Sequence, residues 1–126
     1  MAFAGFSLLL PVASLLAHHS TAALYDISRT MTVQGTVTRV EWLNPHARLV
    51  MEAENRDEWQ LELASPNALM KEGIQRGFVR QGDQSSVTLW RAKDGTLSGY
   101  PLTITFPDGR VVNLPRAWMG ASNPTR

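Results

Sequence analysis

Three histidines, His18, His19 and His46, are the only imidazoles in a chain of 126 residues that holds no cysteine. Any metal site must therefore use nitrogen and oxygen donors. His18 and His19 stand directly after Ala17, the last residue of an uncharged N-terminal stretch. If the chain is cut there, His18 offers its α-amine and an imidazole nitrogen as a chelating pair, and His19 or His46 adds further nitrogens. An all-nitrogen brace of this kind suits Cu(II), with Zn(II) or Ni(II) as competitors. Ser20 occupies the third position, where the amine-amide-imidazole chelate needs a histidine, so that motif is absent. The plainer reading is two histidines near a terminus and a third that bonds its own turn.

Other chemistry is poorly provided for. Ser20, Ser65, Ser85, Ser86 and Ser98 lack the glycine pattern of a nucleophile elbow, and no glycine-rich loop is placed to cradle phosphate. Glu52, Glu54, Glu58 and Glu62 alternate along a hairpin and read as its wet face with Arg48 and Arg56. An acid/base pair would need one of them in an apolar pocket, which a period of two argues against. A binding protein is favoured over an enzyme, and a copper-dependent oxidase is the one catalytic reading the brace leaves. The formal net charge of +1 gives no electrostatic footprint for nucleic acid or an anionic membrane.

Residues 1–17 set the address of the chain. Phe3 to Leu10 is apolar, Pro11 interrupts, and the small-residue run Val12-Ala13-Ser14-Leu15-Leu16-Ala17 follows, as in the core and cleavage region of a secretory signal. The run is too short and too broken to be a stable membrane span. Without a Lys or Arg ahead of it, the leader reads as truncated at its start. The expected organisation is a signal peptide at 1–17, an N-terminal arm at 18–29, a barrel domain at 30–116 and a loose tail at 117–126. The expected location is the periplasm, and the expected partner a small ligand or a periplasmic protein. Cleavage after Ala22 or Ala23 would discard both arm histidines.

His46 is positioned by the stretch from Thr30 to Glu54, two alternating runs joined by Asn44-Pro45-His46. Met31, Val33, Gly35 and Val37 share one parity, whereas Val40 and Trp42 share the other. An extra residue near Thr38-Arg39 must correct the phase, which predicts a bulge. Gly35 lets the strand coil or another backbone come close. Pro45 cannot serve a ladder and marks the turn. Ala47, Leu49, Met51 and Ala53 then face inward, and after Asn55-Arg56-Asp57 the residues Trp59, Leu61 and Leu63 do the same.

Ser65-Pro66-Asn67-Ala68-Leu69-Met70-Lys71-Glu72-Gly73 carries a serine cap, a proline at the first helical position and a closing glycine, and predicts a helix of about two turns. Leu69 and Met70 are sized to plug a barrel. A fourth strand is expected over Ser86–Ala92, a fifth over Pro101–Phe106 with Leu102, Ile104 and Phe106 inward, and a short sixth over Arg110–Leu114. Leu24 and Tyr25 are candidates to anchor the arm. The fold class is mainly β: a five- to six-stranded, OB-fold-like Greek-key barrel with one short helix between strands three and four. A cupredoxin-type sandwich would need more strands. On such a barrel Trp42, Asn44 and Trp59 are the candidate ligand-binding residues.

Ala17-His18-His19-Ser20, Gly35-Thr36-Val37 leading to Glu41-Trp42, Asn44-Pro45-His46, Ser65-Pro66-Asn67-Ala68-Leu69 and Pro107-Asp108-Gly109-Arg110 together resemble a bacterial secreted family of small domains of unknown function. The resemblance runs from His18 to Arg110 and implies an exported, periplasmic small β-barrel. It implies no established activity. From the chain alone, about twelve residues separate His18 from the first strand, so an extended arm reaches ~40 Å at ~3.3 Å per residue. That is just enough to fold back along the barrel to His46.

Overall fold

The computed structural model describes residues 20–116. Its elements are α1 (Ser20–Leu24), β1 (Met31–Glu41), β2 (Arg48–Ala53), β3 (Glu58–Glu62), α2 (Pro66–Lys71), β4 (Gln84–Arg91), β5 (Ser98–Thr105) and β6 (Val111–Asn113). The strands are ordered β3-β2-β1-β4-β5-β6. A parallel contact between β3 and β5, Gln60 opposite Ser98 and Leu61 opposite Gly99, closes the first five into a barrel. This is the expected OB-like barrel, with β6 added along β5. Among the described residues no helix is long and apolar enough to cross a membrane.

β1 makes closure possible because it serves two neighbours. Gly35 stands opposite both Ala53 of β2 and Ser85 of β4. A Cβ at Gly35 would strike the carbonyl oxygen of Glu52 and lie 2.8 Å from the Cα of Ala53. Only glycine permits that approach. Three residues later the register shifts: Val37 pairs with Met51 but Arg39 pairs with Val50, leaving Thr38 as the extra residue. Its hydroxyl donates to the Val50 carbonyl at 3.1 Å. The bulge is where the phase change demanded it. Val40 and Trp42 consequently pack against the same core as Val33 and Val37.

That core gathers Leu49, Met51, Leu61, Leu89 and Ile104, all fully buried. α2 closes one end. Ser65 caps it by accepting from the Ala68 amide at 3.2 Å, Pro66 fills the first helical position, and Leu69 is fully buried. Met70, expected to join the plug, is instead 48% exposed. Consecutive helical positions point about 100° apart, and so short a helix offers the barrel mouth room for one of them.

A second, smaller cluster lies apart from the first: Tyr25, Trp90, Tyr100 and Leu102. Leu102 was expected to share the interior with Ile104 and Phe106, and that expectation is corrected. Thr88 pairs with Thr103 but Leu89 pairs with Pro101, so Leu102 is the extra residue of a second irregularity and leaves the main core. Trp90 and Tyr100, directly opposite each other, stack with ring centroids 6.2 Å apart.

The arm docks on this cluster. Tyr25 bridges to Ala92, the Asp26 amide donates to the Arg91 carbonyl at 2.9 Å, and the Lys93 amide donates to the Leu24 carbonyl at 2.8 Å. Tyr25 is buried and anchors the arm, whereas Leu24 remains 55% exposed. The arm also holds the short helix α1, one helix more than expected. β5 begins at Ser98, ahead of the expected Pro101, because Ser98 and Gly99 pair with β3. The signal-peptide and tail expectations lie outside the described residues.

Gly35→Ala is expected to cost about 2–3 kcal/mol, since the colliding atoms are backbone and cannot rotate away. The midpoint of urea unfolding measures it; an unchanged midpoint would show that β1 can be displaced from β2 without loss.

Candidate functional site

Asn44-Pro45-His46 forms the connection between β1 and β2, with a cis peptide bond between Asn44 and Pro45. Next to His46, Ala47 is fully buried and held on both sides: its amide donates to the Ala64 carbonyl at 3.2 Å, and its carbonyl accepts from the Leu63 amide at 2.8 Å. This fixes the turn against the end of β3. The imidazole of His46 lies there, with Nδ1 3.1 Å from the Leu63 carbonyl oxygen and 3.6 Å from Oε1 of Glu62.

A carbonyl oxygen can only accept, so Nδ1 carries the proton of the neutral ring and Nε2 keeps its lone pair. The His46 side chain is about half exposed, at 48%. An imidazole whose Nδ1–H is tied to a backbone carbonyl, with a carboxylate nearby, has the setting usual for a metal-ligating histidine.

The other oxygen of the same carboxylate is occupied. Oε2 of Glu62 accepts from the Tyr25 hydroxyl at 2.8 Å. The Tyr25 ring packs against Tyr100, with centroids 5.9 Å apart. Burial foremost, then the bond to Glu62, pushes the phenol well above its ordinary range. Tyr25 therefore remains a donor. One carboxylate thus joins the arm, through Tyr25, to the turn, through His46. Arg48 stands opposite Glu62 in the β2–β3 register and also faces this group, its charge acting on Tyr25 in the opposite sense.

The other expected site residues are placed differently. His18 and His19 lie outside the described residues. Trp42 is half-buried against the core, its ring tilted 58° to that of Phe78 at 6.4 Å. Trp59 is buried in the core, with the Arg91 guanidinium 5.6 Å from its ring centroid. Of the three candidate ligand-binding residues only Asn44 is exposed. No group of three or more His, Cys, Asp or Glu able to hold a metal is assembled among the described residues. Glu62 and the Tyr25 hydroxyl were missed by sequence reasoning. The signal was available for Glu62: counting the hairpin back from Met51 opposite Trp59 sets Arg48 against Glu62 and brings the histidine just beyond it.

A concavity opens around Gly35, between β1, the β2–β3 turn and the adjoining ends of β4 and β5. Its volume is about 420 Å³, and Gln34, Thr36, Glu52, Gln84 and Thr105 contribute to its walls. Beneath it Ser85 is buried and its hydroxyl has no hydrogen-bond partner.

A closed five-stranded barrel with an added edge strand, a capping helix and a polar cluster beside its first turn defines a small OB-like β-barrel protein. Residues 8–101 match the model of a family of unknown function (DUF6152). The chain belongs to that family. No curated protein matches it.

Two expectations follow. Above about pH 10 the unfolded chain releases the Tyr25 proton while the folded chain keeps it. The stability present below that pH is therefore lost as pH rises, and Tyr25→Phe flattens this alkaline loss while costing about 1 kcal/mol near neutrality. Urea titrations at neutral and alkaline pH compare the two slopes. Ser85→Ala, which removes a buried hydroxyl without a partner, is expected to leave stability unchanged or raise it by about 1 kcal/mol. A clear loss in urea midpoint would mean that the hydroxyl is bonded in solution.

Proposed function

We propose that this chain is an exported, periplasmic β-barrel binding protein that takes a divalent transition metal, Cu(II) foremost, at His46 together with His18 and His19. The observation that carries the reading is the state of His46: Nδ1 is spent on the Leu63 carbonyl, and Nε2 is left on a half-exposed ring. The hydrogen bond from Tyr25 to Glu62 adds to it by tying the arm to the carboxylate that faces His46. His18 is only seven residues before Tyr25 in the chain. Because Ser20–Leu24 is helical, the seven residues from Tyr25 back to His18 reach no more than about 15 Å. This is shorter than the reach estimated from the chain alone. The apolar leader followed by small residues supports export, and cleavage after Ala17 would supply the α-amine.

The reading is one of binding or handling a metal. Its test is Cu(II) EPR on protein exported and processed by a bacterial host, with His46→Ala beside the wild type. The expected result is a single stoichiometric nitrogen-rich signal that changes in the variant. Copper that binds weakly, or identically without His46, would sink the proposal.

The alternative is an OB-fold binding module for a small ligand or protein partner with no metal role. The open cleft around Gly35, walled by neutral polar side chains together with Glu52, Glu54 and Arg56, favours a small polar ligand within that reading.

A further inference from the structure

Glu62 divides its two oxygens between the arm and the turn. Oε2 accepts from Tyr25, and Oε1 faces Nδ1 of His46 at 3.6 Å, beyond hydrogen-bond length but within the range of an ion pair. The direct hydrogen bond of Nδ1 goes to the neighbouring carbonyl of Leu63. The tautomer thus has its own support, and the carboxylate is free to act through charge. Its orientation does not depend on the histidine. Tyr25 holds it from a buried position, packed on Tyr100 and continued by the arm's pairing with β4.

The groups facing this carboxylate are few. Among the described residues, Tyr25 comes from the arm, Arg48 from β2 and His46 from the turn, while Tyr100 of β5 packs on the Tyr25 ring. Arg48 is exposed, and no ion pair joins it to Glu62. The negative charge therefore remains available to the imidazole.

We propose that Glu62 is the positioning residue of the His46 metal centre, a carboxylate anchored by Tyr25 that strengthens the imidazole as a donor and selects a dication over a monocation. The proposal rests on the metal reading of His46. When Nε2 gives its lone pair to a metal ion, positive charge spreads into the ring and Nδ1–H becomes a stronger donor. Both the Leu63 carbonyl and the Glu62 carboxylate then hold the ring more tightly than in the free protein. The Coulomb gain doubles from a singly to a doubly charged ion at the same distance. Cu(II) and Zn(II) thus gain more from Glu62 than Cu(I) does. The donors assigned to the centre are nitrogens, with no thiolate or thioether to favour Cu(I).

The test compares processed wild-type protein with Glu62→Gln, Tyr25→Phe and Glu58→Gln. Gln at 62 removes the charge but keeps an acceptor for Tyr25. Glu58 is on the same strand and exposed, with Oε1 bonded to Gln60 at 3.0 Å. It lies four residues, about 13 Å, from position 62. Its variant reports the same loss of net charge away from the centre. Competition titrations with Cu(II) and Zn(II) should show Glu62→Gln binding about 10- to 100-fold more weakly. Tyr25→Phe should fall between it and the wild type, and Glu58→Gln should stay close to the wild type. The Cu(II)/Cu(I) potential should rise in Glu62→Gln and remain in place in Glu58→Gln. Thermal melts run in parallel show that each variant is folded, and where Glu62→Gln is not, Tyr25→Phe decides. Wild-type binding that depends on His46, with Glu62→Gln no weaker than Glu58→Gln, overturns this inference and leaves the metal reading standing. Absence of His46-dependent binding in the wild type overturns both.

Discussion

The barrel depends on one backbone contact. β1 pairs with β4 through its first half and with β2 through its second, and Gly35 is opposite a residue of each. A side chain there would meet the Glu52 carbonyl. A strand that must turn from one partner to the next needs a residue over which neighbouring backbones can close up, and only glycine has no Cβ to hold them apart. Closure through β3 and β5 follows from this, because β2 and β4 can be brought round on opposite sides of one continuous strand.

The Thr38 bulge completes what Gly35 begins. Without the extra residue, Val40 and Trp42 would point away from the core, since side-chain direction alternates strictly along a strand. With it, the whole length of β1 packs on one interior, and the chain reaches Asn44-Pro45-His46 already committed in direction. Ala47 then fixes the far side of the turn by bonding the backbone at the end of β3. His46 is therefore held between two backbone constraints, and its ring meets the backbone carbonyl of Leu63. A hydrogen bond to a backbone atom survives most substitutions nearby. It is a robust way to hold a tautomer.

The elements that announce themselves locally were legible in the sequence. The parity change between Val37 and Val40 has no explanation other than an extra residue. Ser65, Pro66 and Gly73 mark a helix by cap, first-turn proline and positive φ. Leu102 was illegible for the opposite reason. It alternates faultlessly with Ile104 and Phe106, and only the register of β5 against Trp90 and Leu89 on β4 reveals the irregularity that turns it out of the core. Met70 is a similar case, because composition offers two apolar side chains where the barrel mouth accepts one. At the candidate site, His46 was visible as the histidine of a turn. The Tyr25–Glu62 bond was hidden by a separation of 37 residues and by glutamates that repeat along the hairpin, of which Glu62 is the one that meets the arm.

The second aromatic cluster explains why the arm belongs to the barrel at all. Trp90 and Tyr100 face each other across β4 and β5, and Leu102 leaves the interior to join them. An apolar patch on the outside of a small barrel costs free energy if it stays wet. Tyr25 covers part of it, and a buried tyrosine must find an acceptor for its hydroxyl. Glu62 is that acceptor, and because it is partly exposed its charge does not have to be buried to serve. The requirement that docks the arm and the requirement that orients a carboxylate toward His46 are thus met by one bond. Hydrophobic packing on the outside of β4 and β5 thereby sets the polar geometry at the β1–β2 turn. This coupling follows from barrel closure, which sets β5 beside β3.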